Sequence, residues 1–190
     1  IAWKKANQDG GWRGAGDLMR RFRSPLPPAG DPAYQEVRDF FAANPEYIRL
    51  SDELMTFDQT RFRRDGAGNS KVLPIVGVDM MLGLAQRGRI RMLAAWESGD
   101  TAEALRLWRG MGRLRHQTLD NPLMISALVG EVMEQIRLDA LNQGMNCFGA
   151  LSEEQLRAIP ENLSGVEAEF AAARPKSVHG ESALLLDCTS

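Results

Sequence analysis

The sequence predicts an all-α fold, an irregular helical bundle or a set of stacked helical hairpins around a central three-helix unit. Three observations predict it. Apolar residues recur three and four positions apart over long stretches that begin near residues 79, 101 and 122, the spacing that gathers side chains on one face of a helix. A capping residue followed by proline stands at Asp31-Pro32, Asn44-Pro45 and Asn121-Pro122; the first accepts the free amides of an opening turn, and the second fits that turn without losing a hydrogen bond. Gly99-Asp100 marks a tight turn between two of the long stretches, since glycine tolerates the left-handed backbone that ends a helix.

Taken in order, residues 1–30 read as an irregular segment with a proline-rich linker, and 31–190 as one all-helical domain. Gly10-Gly11, Gly14 and Gly16 precede a short helical candidate over Asp17–Phe22. Pro25-Leu26-Pro27-Pro28 then forces an extended path, read as a surface linker rather than a recognition motif. Asp31-Pro32 opens a helix to about Ala43, with Val37, Phe40 and Phe41 as its apolar positions. Asn44-Pro45 opens the next, where Tyr47, Ile48, Leu50, Leu54, Met55 and Phe57 recur at helical spacing. Residues 58–74 carry no pattern. Their Gly66-Ala67-Gly68-Asn69-Ser70-Lys71 run has the wrong order for a phosphate-binding loop and no preceding strand, so a surface loop is expected.

The first long helix carries Leu82, Ala85, Leu93 and Trp96 on one stripe. Asp100 with Glu103 forms a capping box for the second, whose wide apolar face includes Leu105, Leu107, Trp108, Met111 and Leu114. Arg106, Arg109 and Arg113 are spaced as a solvated face. The third helix places Ile125, Leu128, Val129, Val132, Met133, Ile136 and Ala140 on an inward stripe. Gly144, Asn146 and Gly149 break it, Ser152 with Gln155 makes another capping box, and Pro160-Glu161 is expected to begin one more helix through about Ala173. The tail from His179 to Cys188 reads either as a helix with Ala183, Leu184 and Leu186 inward or as a strand over 182–186.

Of the 190 residues, 44% are hydrophobic and 25% charged, which excludes wholesale disorder. A net charge of -2 and a pI near 5.8 give no electrostatic case for nucleic acid or an anionic membrane surface. No apolar run reaches the length of a membrane span. The chain starts at Ile1 rather than methionine, so a removed signal peptide or membrane anchor is expected, and Trp3-Lys4-Lys5 would suit the edge of one. Cys147 and Cys188 could pair if the protein is exported, but two unpaired thiols are the favoured reading.

Chemistry is harder to find. Nucleophilic catalysis needs a histidine beside a serine or cysteine, and neither His116 nor His179 has such a local signature. His116, Cys147, His179 and Cys188 match no zinc spacing, and no metal or cofactor is expected. Glu153-Glu154 suits the opening turn of a helix, and Glu131 with Glu134 reads as a polar face. Nine methionines, six of them in the central helices, fill a core or line an apolar groove. One residue breaks the pattern: Arg89 falls on the apolar stripe of the first long helix. A buried guanidinium needs acceptors, so Arg89 with Glu131, Glu134 or Glu181 is the candidate ion-pair or ligand site.

Several motifs together carry a resemblance: the proline-rich segment before Ala33-Tyr34, Leu73-Pro74, Ala94-Ala95-Trp96 through Gly99-Asp100-Thr101-Ala102-Glu103-Ala104, Asn121-Pro122-Leu123-Met124-Ile125, Leu151-Ser152 and His179-Gly180-Glu181. Their order resembles that of a group of uncharacterised bacterial exported helical proteins with an N-terminal membrane anchor. The resemblance implies an exported, all-helical, periplasmic or cell-envelope domain and supplies no activity. The leading expectation is a non-enzymatic interaction or scaffold domain with a protein partner, attached to the membrane only through a segment before Ile1. An apolar-ligand or lipid-binding protein, with Arg89 on an anionic group, is the alternative. A hydrolase built on Glu131, Glu134, Glu181 and His116 comes third.

Overall fold

The computed structural model describes residues 11–23, 25–57, 73–120, 124–149 and 151–175. Among them the regular structure is entirely helical. In chain order the helices are α1 (Gly11–Arg21), α2 (Pro32–Ala42), α3 (Pro45–Leu54), α4 (Leu73–Glu97), α5 (Thr101–Leu119), α6 (Met124–Phe148) and α7 (Glu153–Leu163). A last helical stretch, α8, covers 166–175. Helices α4, α5 and α6 pack pairwise against one another, α2 lies on α4, and α1 and α3 both pack on α2. The expected central three-helix unit is therefore present.

Local signals explain most of the boundaries. The Asp31 carboxylate accepts from the Ala33 amide at 2.8 Å, with Pro32 in the first turn. Asn44 precedes α3 without capping it, because its side-chain amide donates to the Phe40 carbonyl at the end of α2. Gly99, at φ 83°, ends α4, and Asp100 caps α5 by accepting from the Glu103 amide at 3.0 Å. The capping box expected there is only half made. The Asp100 amide donates to Ala95, and the Glu103 carboxylate is taken by Arg91 and Arg106. At α7 both arms of the box exist, Ser152 and Gln155 each accepting from the other's amide.

Four boundaries differ from the sequence reading. Residues 11–21 form a regular helix despite their glycines, and it belongs to the domain: Leu18 and Phe22 lie in the core. The Phe22 ring meets Tyr34 edge-on at 5.0 Å, and Tyr34 donates to the Pro27 carbonyl, so the proline segment is pinned to the body rather than crossing it as a linker. Helix α4 begins at Leu73, ahead of the expected start near 79, because Pro74 sits in its first turn where no amide is needed. Pro160 lies inside α7, and the break comes at Gly165, φ 84°; a proline removes one hydrogen bond, whereas a left-handed residue redirects the chain. Asn121-Pro122, the 58–72 loop, Trp3-Lys4-Lys5 and the tail from 176 onward lie outside the described residues.

The central helices interlock through glycines. A Cβ on Gly130 would stand 2.6 Å from Leu119 Cδ2, and one on Gly110 would stand 2.6 Å from Met55 Sδ. Gly88 faces Met111, Gly112 faces Arg137, and Gly144 faces the ring of Trp96. Each glycine is a notch that seats a side chain from a neighbouring segment, so the helices approach closely at these points. Met55, Met81, Met92, Met111 and Met133 are all buried, so these methionines are core filling rather than the lining of a groove.

Candidate functional site

Helix α6 has two faces that demand an account. Ser126, Ala127, Gly130, Met133, Glu134, Arg137, Ala140, Leu141 and Gly144 are buried. Ile125, Leu128 and Val132 are exposed by 41%, 52% and 48%, with Met124 beside them at 45%. The sequence stripe placed Ile125, Leu128 and Val132 inward, and this is corrected: the helix is rotated about its axis. The notches at Gly130 and Gly144 require the small residues to face Leu119 and Trp96, and the larger aliphatic side chains are turned outward.

The buried face of α6 carries a charge cluster. Arg137 donates to both oxygens of Glu134, at 2.9 and 2.6 Å, and its guanidinium lies 4.4 Å from the Trp108 ring centroid. Space for it comes from Gly112, where a Cβ would stand 3.2 Å from an Arg137 terminal nitrogen. Arg115, from α5, sits 3.5 Å from Glu134, bonds Glu169 of α8 and lies over the Phe170 ring. Burial pushes the Arg115 pKa down; Glu134 and Glu169 oppose that shift, and Arg137 adds to it. Two arginines and two glutamates cancel in charge, so the cluster holds α5, α6 and α8 together without attracting an ion. Because both oxygens of Glu134 are occupied by Arg137, that carboxylate is not available as a general base.

Arg89 is half-buried as expected but has different partners. It donates to the Phe22 carbonyl at 2.6 Å and to Gln143 Oε1 at 3.0 Å, joining α4 to the end of α1 and to α6. Burial pushes its pKa down, with Asp139 and Tyr34 opposing. The structure does not bring Glu131 or Glu134 to it. Glu131 stands on the outer side of α6, 3.3 Å from Arg174, and Glu134 is in the cluster above rather than on a polar face. Neutral acceptors suffice because a carbonyl at a helix end carries partial negative charge. Glu181, His179 and Cys188 lie outside the described residues, and Cys147 is exposed on the last turn of α6. His116 is half-exposed with Nδ1 3.6 Å from Glu169.

Arg115 and Arg137 were missed in the sequence, although a signal existed. Arg115 follows Ala104, Trp108 and Met111 at helical spacing, as Arg89 follows Leu82 and Ala85. Elsewhere, Arg91 and Arg106 pair with Asp52 and Glu103, tying α3 to α4 and α5. An open groove of about 410 Å³ between α1 and α2 is lined by Asp17, Leu18, Arg21, Glu36, Asp39 and Phe40. Its carboxylates are engaged by Arg20, Arg21 and Gln35. Among the described residues no three His, Cys, Asp or Glu side chains gather as metal ligands, and no helix is long and apolar enough to cross a membrane.

The chain matches no family model, no curated protein and no solved structure. Function must therefore be argued from the surface. Its most distinctive part is the outer face of α6, where half-exposed aliphatic side chains stand at helical spacing.

Proposed function

We propose that this chain is a non-enzymatic helical interaction domain that docks a protein partner on the outer face of α6. One observation carries the proposal: Ile125, Leu128 and Val132, at the i, i+3, i+7 spacing of one helical stripe, are each about half exposed. A contiguous apolar stripe of this kind is the anchor pattern of helix-mediated recognition. The paired charges support a non-enzymatic reading, since Glu134, Glu169, Asp52 and Glu103 are each committed to arginines. Placement in the cell envelope is supported by the motif resemblance alone. An apolar-ligand protein would need a guanidinium turned toward a cavity. Arg89 instead reaches Phe22 and Gln143, and the central methionines Met81, Met92, Met111 and Met133 are no more than 1% exposed.

The test is site-specific photocrosslinking in the native host. A photoreactive side chain at position 128 should trap a discrete partner, the same substitution at Glu153 on α7 should not, and Leu128→Asp should abolish co-purification of that partner. Identical crosslinking patterns at 128 and 153 would remove the proposal.

A further inference from the structure

Helix α6 is apolar outside over only part of its length. Met124, Ile125, Leu128 and Val132 are 41–52% exposed, and beyond them the same face turns polar, with Gln135 bonded to Asp139 and Asn142 to Asn146. The patch is therefore about two and a half turns long and centred on Leu128.

An antiparallel copy of the same helix fits this gradient. A two-fold axis beside Leu128 sets the two Leu128 side chains against each other and Ile125 of each copy against the partner's Val132, because 125 and 132 stand equally far from the axis. Each polar half then runs beyond the N-terminal end of the partner's α6. A parallel pairing would instead bring Asp139 level with the partner's Asp139, and like charges facing one another oppose association. The rim is complementary as well. Glu131 and Arg174 stand 3.3 Å apart and are exposed by 46% and 73%. The rotation keeps both pairs on one edge, offset by about 8 Å along the helix, so each guanidinium meets the partner's carboxylate as well as its own. A net charge of -2 puts little repulsion between two copies.

Area sets the strength. At these exposures the four apolar side chains offer roughly 350 Å² and Glu131, Gln135 and Arg174 roughly 250 Å² more, about 600 Å² per copy. The total of about 1,200 Å² stands at the lower edge of specific interfaces, which suits a dimer that exchanges at micromolar concentration.

We propose that the partner docked on the outer face of α6 is a second copy of this chain, held antiparallel about Leu128. This rests on the interaction reading given above and names its partner.

Sedimentation equilibrium of the full chain tests it. The mass should rise from 21.1 kDa toward twice that value as concentration climbs from about 1 to about 200 μM. Leu128→Asp and Val132→Lys, both at exposed positions and checked for fold by circular dichroism, should each weaken the dimer by about tenfold or more. Leu156→Asp on α7 should leave it unchanged. A chain that stays at 21.1 kDa throughout overturns the proposal, and so does a dimer that the substitutions at 128 and 132 leave intact. The position-128 photocrosslink, made both in the purified chain and in the native host, separates the two readings. Two copies joined through residues 124–133 support the dimer. A different protein trapped in the host by a chain that is monomeric when purified overturns the second copy and supports docking. Nothing trapped at 128 from a monomeric chain overturns both.

Discussion

Gly144→Ala tests the interlocking of the central helices. The added methyl would meet three atoms of the Trp96 ring, two of them at 2.5 Å, where ordinary carbon contacts begin near 3.4 Å. Trp96 is 1% exposed, so the ring has no free space to enter and must push its own neighbours by about an ångström. Overpacking of this severity costs about 3 kcal/mol. Replacing a mid-helix glycine by alanine returns about 1 kcal/mol. The net loss is then about 2 kcal/mol, which for a chain of this length lowers the melting temperature by about 4–8 °C. Gly16→Ala is the control, because its Cβ would meet nothing within 4 Å and only the helical gain of about 0.5–1 kcal/mol remains. Urea unfolding and thermal melts followed by circular dichroism report both. A Gly144→Ala protein as stable as the parent would refute the notch account.

Two further outcomes follow from the buried groups. Glu134→Gln leaves Arg137 and Arg115 without their shared carboxylate and should cost about 3 kcal/mol in urea unfolding; Arg49→Ala, which breaks only the exposed pairs to Glu46 and Glu53, should leave the midpoint unchanged. Equal midpoints for the two variants would show that the cluster contributes nothing. Tyr34, pushed up to about 12 by burial, and Tyr47, raised by burial against the opposing pull of Arg87, are the chain's two tyrosines. Both folded pKa values are raised, so the stability they contribute is whole below the free value of 10 and is lost as pH climbs beyond it, through about 12 for Tyr34. Tyrosinate absorbance of the folded protein should therefore develop above pH 10 and move back to the ordinary midpoint in urea, and a folded-state midpoint at 10 would contradict the burial.

What the sequence disclosed was local. The caps at Asp31, Asp100 and Ser152 depend on residues two or three positions away, so they can be read from the chain itself. Arg89 and Arg115 were detectable as cations on apolar stripes, but their acceptors were not, since Phe22, Gln143, Glu134 and Glu169 come from distant helices. The rotation of α6 was illegible for a different reason. Apolar residues cover most of its circumference, so periodicity allows more than one inner face, and the choice is made by which neighbours need a glycine to seat them. The candidate docking surface is the part of the apolar pattern that this choice leaves over.

The glycine notches also limit how the molecule can move. Sliding α6 along α5 by one turn, about 5.4 Å, would lift Leu119 out of its seat at Gly130 and Arg137 out of its seat at Gly112 together. The trio is thus keyed like a lock with several wards, and a register slip has to clear every ward at once. Movement that keeps these seats filled falls to the outer helices, and the outer face of α6 is carried on a trio held in one register.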